Sequence, residues 1–104
     1  MKRFFLKKFD SFLLDRDMGK DALDIFLKQM GNALKNKEKI FFDFSEIQVF
    51  TPSFCDEFFT DLVKEYPKSI IIDENVSHAF KVAFETVEKT TDVKFTFGKF
   101  EENL

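Results

Sequence analysis

The chain has 104 residues, of which 44% are hydrophobic and 34% are charged. This balance suits a folded domain with a packed core and excludes an intrinsically disordered chain. Sixteen Lys and Arg against nineteen Asp and Glu give a net charge of -3, which disfavours binding to the phosphate backbone of nucleic acid. We therefore expect a single domain over residues 1–104 and no nucleic-acid partner.

The chain contains one cysteine, Cys55, and one histidine, His78. The chain therefore cannot form an intramolecular disulfide, and it lacks the sets of Cys and His residues that form zinc sites. No apolar run exceeds three residues, which is too short for a signal-peptide core or a membrane span. The sequence predicts a cytoplasmic protein without a metal, another cofactor or a membrane partner.

The first third of the chain predicts one strand region and one helix. Residues 3–9 mix apolar and basic side chains and favour a strand within residues 1–10, and residues 10–14 form a turn or a second strand. From residue 18 to residue 35 the apolar side chains recur at steps of three and four, the spacing of an amphipathic helix. They are Leu23, Phe26, Leu27, Met30 and Leu34.

The middle of the chain predicts a buried strand followed by a second helix. Residues 40–44 are almost continuously apolar, which is typical of a parallel strand that is covered on both faces. Thr51 is a good helix cap and Pro52 suits a first helical turn, so we expect a helix over residues 52–66. Its apolar stripe comprises Phe54, Cys55, Phe58, Phe59, Leu62, Val63 and Tyr66, and the opposite face carries Asp56, Glu57, Asp61 and Glu65.

The last third continues the alternation of strand and helix. Residues 70–72 predict a strand, residues 77–89 a third helix, residues 93–97 a final strand, and residues 101–104 a frayed tail. Connections of this length favour right-handed crossovers between parallel strands. We therefore predict an α/β fold with a mostly parallel sheet of four or five strands and about three helices.

Few residues suggest catalysis. Three scattered glycines cannot build a phosphate-binding loop, a lone Cys55 on an apolar stripe is typical of a buried thiol, and His78 is typical of a structural or surface residue. Asp43, near the end of the central strand, occupies a position at which α/β enzymes place a reactive carboxylate. A turn or capping role is the favoured interpretation because no companion acidic pair is visible, and a small phosphotransfer or phosphohydrolase domain is the alternative.

Ser53 is the most informative hydroxyl in the sequence. It is the second residue after the Thr51 cap, at the positive end of the predicted second helix, where a phosphate is electrostatically favoured. The alternative is that its side chain satisfies a backbone group at the helix end. The sequence alone is compatible with both interpretations of Ser53, a phosphorylation site and a structural hydroxyl.

Residues 42–58, FDFSEIQVFTPSFCDEF, resemble the STAS-like domain family of bacterial proteins of unknown function. Members of that family carry the signature LDF-x-x-V-x-x-x-T-(S/P)-S-F-x-D-E, and the resemblance extends over residues 16–90. More distantly, the chain is similar to the anti-sigma factor antagonists. The resemblance implies a STAS-like fold and a regulatory role that does not involve catalysis.

In the antagonists, the second serine of a D-S-S-G motif is phosphorylated at the start of the helix after the central strand. An ungapped match places Thr51, Pro52, Ser53 and Phe54 on that motif, which makes Ser53 the candidate phosphoacceptor. The resemblance further implies a protein partner, such as a histidine-kinase-like ATPase or another regulator. An adaptor or subunit of a multi-protein bacterial system is the alternative. The predicted partner-binding residues are Thr51, Ser53, Phe54, Asp56, Glu57 and Asp61.

Overall fold

A computed structural model, which describes residues 1–102, contains a four-stranded sheet, a two-stranded sheet and three α-helices. The strands are β1 (Lys2–Phe5), β2 (Phe12–Leu13), β3 (Ile40–Asp43), β4 (Val49–Phe50), β5 (Ile70–Asp73) and β6 (Thr96–Gly98). The helices are α1 (Arg16–Lys35), α2 (Pro52–Glu65) and α3 (His78–Thr90). The predicted α/β class, the mostly parallel sheet and the three helices are confirmed.

The main sheet has the strand order β1-β3-β5-β6, and every neighbouring pair is parallel. One row of side chains lies in register across all four strands: Phe4, Phe42, Ile72 and Phe97. Rings from this row contact α1, α2 and α3 through Phe26, Phe59 and Phe84 respectively. The three helices therefore cover the same face of the sheet, as successive right-handed crossovers require.

The core between this face and the helices is built largely from phenylalanine, which occurs seventeen times in the chain. Phe42, Phe58 and Phe59 are fully buried and contact one another edge to face. Such pairs contribute about 0.5–1.5 kcal/mol beyond the burial of their area, and a phenyl ring needs no hydrogen-bond partner. Within residues 1–102, no buried side-chain nitrogen or oxygen lacks a hydrogen-bond partner.

The opposite face of the sheet is covered by a short C-terminal segment. Phe41 is only 3% exposed, although it lies outside the main core cluster. The ring of Phe100 packs against it with centroids 5.8 Å apart, and the guanidinium of Arg3 lies 4.6 Å from the Phe100 centroid. Residues after β6 therefore run back across this face towards β1, where the backbone N–H of Glu101 contacts the sulfur of Met1.

Two predicted strands are shorter than expected. The strand predicted over residues 3–9 ends at Phe5, because the buried Leu6 begins a 3-10 turn that closes with the Phe9 N–H donating to the Leu6 carbonyl. The strand predicted over residues 93–97 begins only at Thr96 and extends to Gly98. The alternation before it reflects packing against helices, since the Phe95 N–H donates to the Glu88 carboxylate instead of a neighbouring strand.

Two remaining predictions concern the chain ends and membranes. In the tail predicted over residues 101–104, Glu101 and Glu102 are exposed, and residues 103–104 lie outside the described residues. Between residues 1 and 102, the structure contains no helix with the length and apolar character needed to span a membrane.

Helices α1 and α2 pack closely at a glycine. A Cβ atom added to Gly19 would lie 2.9 Å from the Cβ of Glu57 and 3.1 Å from the carbonyl oxygen of Phe54. Ordinary side-chain contacts do not reach such short distances, so Gly19 permits the observed spacing of the two helices. The same contact fixes where the first turn of α2 lies.

Candidate functional site

The small sheet anchors the start of α2. Strands β2 and β4 pair in parallel, with Leu13 opposite Phe50. The backbone N–H of Thr51 donates to the Leu13 carbonyl at 3.1 Å, and the Thr51 hydroxyl donates to the Leu14 carbonyl at 2.6 Å. The segment that follows β1 is therefore held directly beside the N-terminus of α2.

The capping role at this helix belongs to Thr51. Its hydroxyl oxygen accepts the backbone N–H of Phe54 at 3.1 Å, as the sequence predicted. The hydroxyl of Ser53 is half-buried and, among residues 1–102, has no hydrogen-bond partner. The cap of α2 is therefore Thr51, and no hydrogen bond of Ser53 within residues 1–102 supports the alternative in which Ser53 satisfies the helix end.

The structure places Phe54 in the core instead of on the predicted partner-binding surface. Its side chain is 0% exposed and stacks on Phe58, with ring centroids 5.6 Å apart and planes inclined by 15°. The ring points inward because the apolar stripe of α2 faces the sheet. Phe54 stands where the antagonists' D-S-S-G motif has glycine, and because its ring points inward it does not cover Ser53.

Two large apolar side chains lie exposed in the segment that pairs with the strand leading into α2. Phe12 is 44% exposed and Leu14 is 46% exposed, and they flank the buried Leu13. With Pro52 and Ser53 they form what we call the α2-entry surface. Neighbouring exposed apolar residues are typical of interaction sites. The sequence carried a signal for them, since only the middle residue of the run 12–14 faces inward when the segment is a strand.

The predicted acidic face of α2 is divided into two parts. The guanidinium of Arg16 lies 2.8 Å from the Asp56 carboxylate and 3.5 Å from the Glu57 carboxylate. Asp61 and Glu65 are exposed, and neither forms an ion pair within residues 1–102. Unpaired negative charge is thus concentrated in the second half of the helix.

Asp56 has a second partner on its own helix, the hydroxyl of Thr60 at 2.6 Å. The hydrogen bond from Thr60 lowers the pKa of Asp56 below its usual value, burial opposes that shift, and the contact with Arg16 adds to it. Asp56 therefore remains ionised near neutral pH and holds Arg16 at the start of α1.

Asp43 is buried and fully bonded. One carboxylate oxygen accepts a hydrogen bond from the Arg3 Nε at 2.9 Å and lies 2.9 Å from a second Arg3 nitrogen in an ion pair, and the other oxygen accepts the Ser45 N–H at 2.8 Å. Burial raises the pKa of Asp43, but the hydrogen bonds from Ser45 and Arg3 outweigh it and leave the pKa below its ordinary value. These bonds support the interpretation of Asp43 as a turn residue that is also held in an ion pair.

A polar cavity of about 670 Å³ lies beside Asp43 at the carboxyl end of the sheet. Its second acid, Asp73 at the end of β5, accepts the Asn75 N–H at 2.9 Å in the same type of turn. No group of three or more His, Cys, Asp or Glu side chains within residues 1–102 is arranged to hold a metal ion. The acids of this cavity therefore serve local turns.

Cys55 and His78 have the environments that the sequence predicted. Cys55 is 0% exposed, and burial raises the pKa of its thiol, which disfavours the reactive thiolate. His78 is exposed at the first position of α3.

A parallel sheet with all its helices on one face, and a capped helix after the central strand, define an α/β domain of the STAS-like type. Residues 24–79 match the family described as STAS-like domain of unknown function (DUF4325). The chain belongs to this family, and the matched region extends from α1 to the start of α3. Comparison with curated proteins and with solved structures gives no significant match.

Proposed function

We propose that the chain is a regulatory module, without catalytic activity, that binds a protein partner through the α2-entry surface. The observation that carries this proposal is the exposure of Phe12 and Leu14 in the segment bonded to the start of α2, where the Ser53 hydroxyl has no hydrogen bond within residues 1–102. The bonded state of Asp43 and the burial of Cys55 speak against the enzyme alternative.

We further propose that the partner is a cytoplasmic histidine-kinase-like ATPase or another regulator, as the resemblance to anti-sigma factor antagonists implies. On this proposal the apolar side chains supply most of the contact. The exposed carboxylates of Asp61 and Glu65 guide association with a basic surface on the partner. Thr51 shapes the site through its two hydrogen bonds.

Ser53 is the proposed control point of this surface. A phosphoryl group would add a charge of about -1.5 to -2 at the N-terminus of α2, where it is locally favourable. Residues three and four positions further along a helix lie on the same side, so the phosphate would approach Asp56 and Glu57. It would compete with both for Arg16, and the surface would become more negative while the helix stays folded.

The proposal is tested by comparing two charge insertions. Leu14→Asp places a carboxylate in the α2-entry surface, and Val82→Asp places one at an equally exposed apolar residue of α3. We expect isothermal titration calorimetry with a candidate ATPase from the same cell to show at least about a tenfold loss of affinity for Leu14→Asp only. Equal affinities for both variants and the wild type would refute the proposed surface.

The control point has its own test. Ser53→Asp should alter the affinity for the partner, whereas Ser53→Ala should bind like the unmodified protein and resist phosphorylation. Phosphorylation would add about 80 Da, which intact-mass measurement and peptide mapping can localise. If Ser53→Asp leaves binding unchanged while Leu14→Asp abolishes it, the adaptor alternative is favoured, because the surface then binds without a switch.

A further inference from the structure

A second concave surface lies where α1 and α2 end, at the amino end of the sheet. It encloses about 530 Å³. Leu34, Tyr66 and Pro67 provide apolar lining, and four lysines border it: Lys35, Lys37, Lys39 and Lys68. We call this region the amino-edge cleft. Helix α2 has 14 residues and begins beside the α2-entry surface, so the two regions are separated by about 20 Å.

The cleft is positively charged in a chain whose net charge is -3. Glu65 is the one acidic residue in its lining, and none of the four lysines forms an ion pair within residues 1–102. A helix C-terminus carries about half a negative charge, which accounts for Lys35 in the last turn of α1. Lys37 directly follows the α1 cap and shares this explanation, whereas Lys39 and Lys68 lie three or more residues beyond the helix ends and are not explained by it.

Lys37 occupies a backbone conformation that favours glycine. Its φ is 60°, and its N–H donates to the Leu34 carbonyl while the Glu38 N–H donates to the Ala33 carbonyl. This is the left-handed helix termination at which glycine is the usual residue. Lys37 is exposed, and its side chain lines the cleft directly beyond the end of α1.

The shape and polarity of the lining restrict the ligand. Pro67 is exposed and Tyr66 is half-buried, so the cleft offers accessible apolar surface that a small inorganic anion would leave unused, with the buried Leu34 beneath it. Compact phosphates favour helix N-termini, whereas two helix C-termini meet at this cleft. Carboxylates spaced along a chain can reach Lys39 and Lys68, which lie beyond the helix ends.

We propose that the amino-edge cleft binds an acidic peptide segment of a partner protein, with one large apolar side chain packed against Tyr66 and Pro67. This binding goes beyond the proposed function. It uses the opposite end of the sheet, and it does not depend on Ser53 or on the α2-entry surface.

Fluorescence anisotropy with a labelled peptide of eight glutamates around a central phenylalanine tests the proposal. We expect the double variant Lys37→Glu, Lys39→Glu to weaken binding at least about tenfold, which corresponds to about 1.4 kcal/mol. The matched control Lys20→Glu, Lys28→Glu makes the same change of net charge at exposed positions of α1. It should change the affinity by less than about twofold, because distant surface charges are screened at 0.15 M salt.

Several results would overturn the proposal: no binding at millimolar peptide, equal weakening by both double variants, or equal affinity for a peptide with serine in place of phenylalanine. Displacement of the peptide by much tighter binding of ATP would also overturn it, in favour of a phosphate ligand. Urea denaturation checks that each variant folds. The pair Lys39→Gln, Lys68→Gln, which leaves the termination of α1 intact, provides a second reading with the same expected loss of binding.

Discussion

The different roles of Thr51 and Ser53 at the start of α2 give the most discriminating prediction for stability. Thr51→Ala removes a helix cap worth about 1 kcal/mol and a hydrogen bond to the Leu14 carbonyl worth about 0.5–1.5 kcal/mol. We expect the free energy of unfolding to fall by about 2 kcal/mol. Ser53→Ala removes a hydroxyl without a partner and introduces a better helix former, so that free energy should stay the same or rise by up to about 0.5 kcal/mol.

Urea denaturation followed by circular dichroism at 25 °C measures both changes. Ser77→Ala serves as a matched control, because Ser77 caps α3 through a single hydrogen bond of 3.3 Å, and we expect a loss of about 1 kcal/mol or less. The reasoning would be refuted if Ser53→Ala cost about 1 kcal/mol or more while Thr51→Ala cost almost nothing. Ser53 would then be the structural hydroxyl, and its proposed role as a control point would lose its basis.

Three further predictions follow from packing and charge. Gly19→Ala should lower the free energy of unfolding by about 1–2 kcal/mol because the added carbon crowds the facing helix. Gly31→Ala should raise that free energy by about 0.5–1 kcal/mol, because no atom lies within 4 Å of the added carbon. Urea midpoints in the opposite order would contradict the described packing of α1 against α2. The pKa of Asp43 is lowered in the fold, so its stabilising contribution is complete above its ordinary pKa near 4 and is lost as pH falls through the folded pKa. Asp43→Asn should therefore cost about 2 kcal/mol at pH 7, and this cost should decrease as the pH is lowered below about 4. A cost independent of pH in denaturant titrations would contradict the ion pair. The double variant Asp61→Lys, Glu65→Lys should slow association with the partner in stopped-flow measurements, and the effect should depend on salt. Its free energy of unfolding should change by less than about 1 kcal/mol. A large loss of stability would mean that this part of α2 is not free surface.

The sequence predicted the elements whose signals are local. The apolar run of residues 40–44 required a buried central strand, and Thr51 with Pro52 marked the start of α2 to the residue. At the other end, alternation over residues 93–97 predicted too early a strand, because Val93 and Phe95 are buried against helices and only Thr96 begins the pairing with β5. Alternation of apolar and polar residues indicates which side chains face inward, but it does not show whether a strand or a helix packs against them.

The features of the site that sequence reasoning missed depend on distant pairs. Arg16 neutralises part of the acidic face from 40 positions away, and Arg3 binds Asp43 across the same separation. The pairing of β2 with β4 likewise joins segments that no local pattern connects, and it places Phe12 opposite Val49 on the strand that leads into α2. Such contacts are set by tertiary packing, so the position of Ser53 was predictable whereas the surface around it was not.

The central claim is that a partner docks on the α2-entry surface under the control of Ser53. Photo-crosslinking in the native cell tests it most directly, with a photoreactive amino acid replacing Leu14 in one protein and Val82 in a control. We predict a defined crosslinked partner from position 14 only, whose yield changes when Ser53→Asp is added. Crosslinks that are the same from both positions, or that do not respond to Ser53→Asp, would contradict the account.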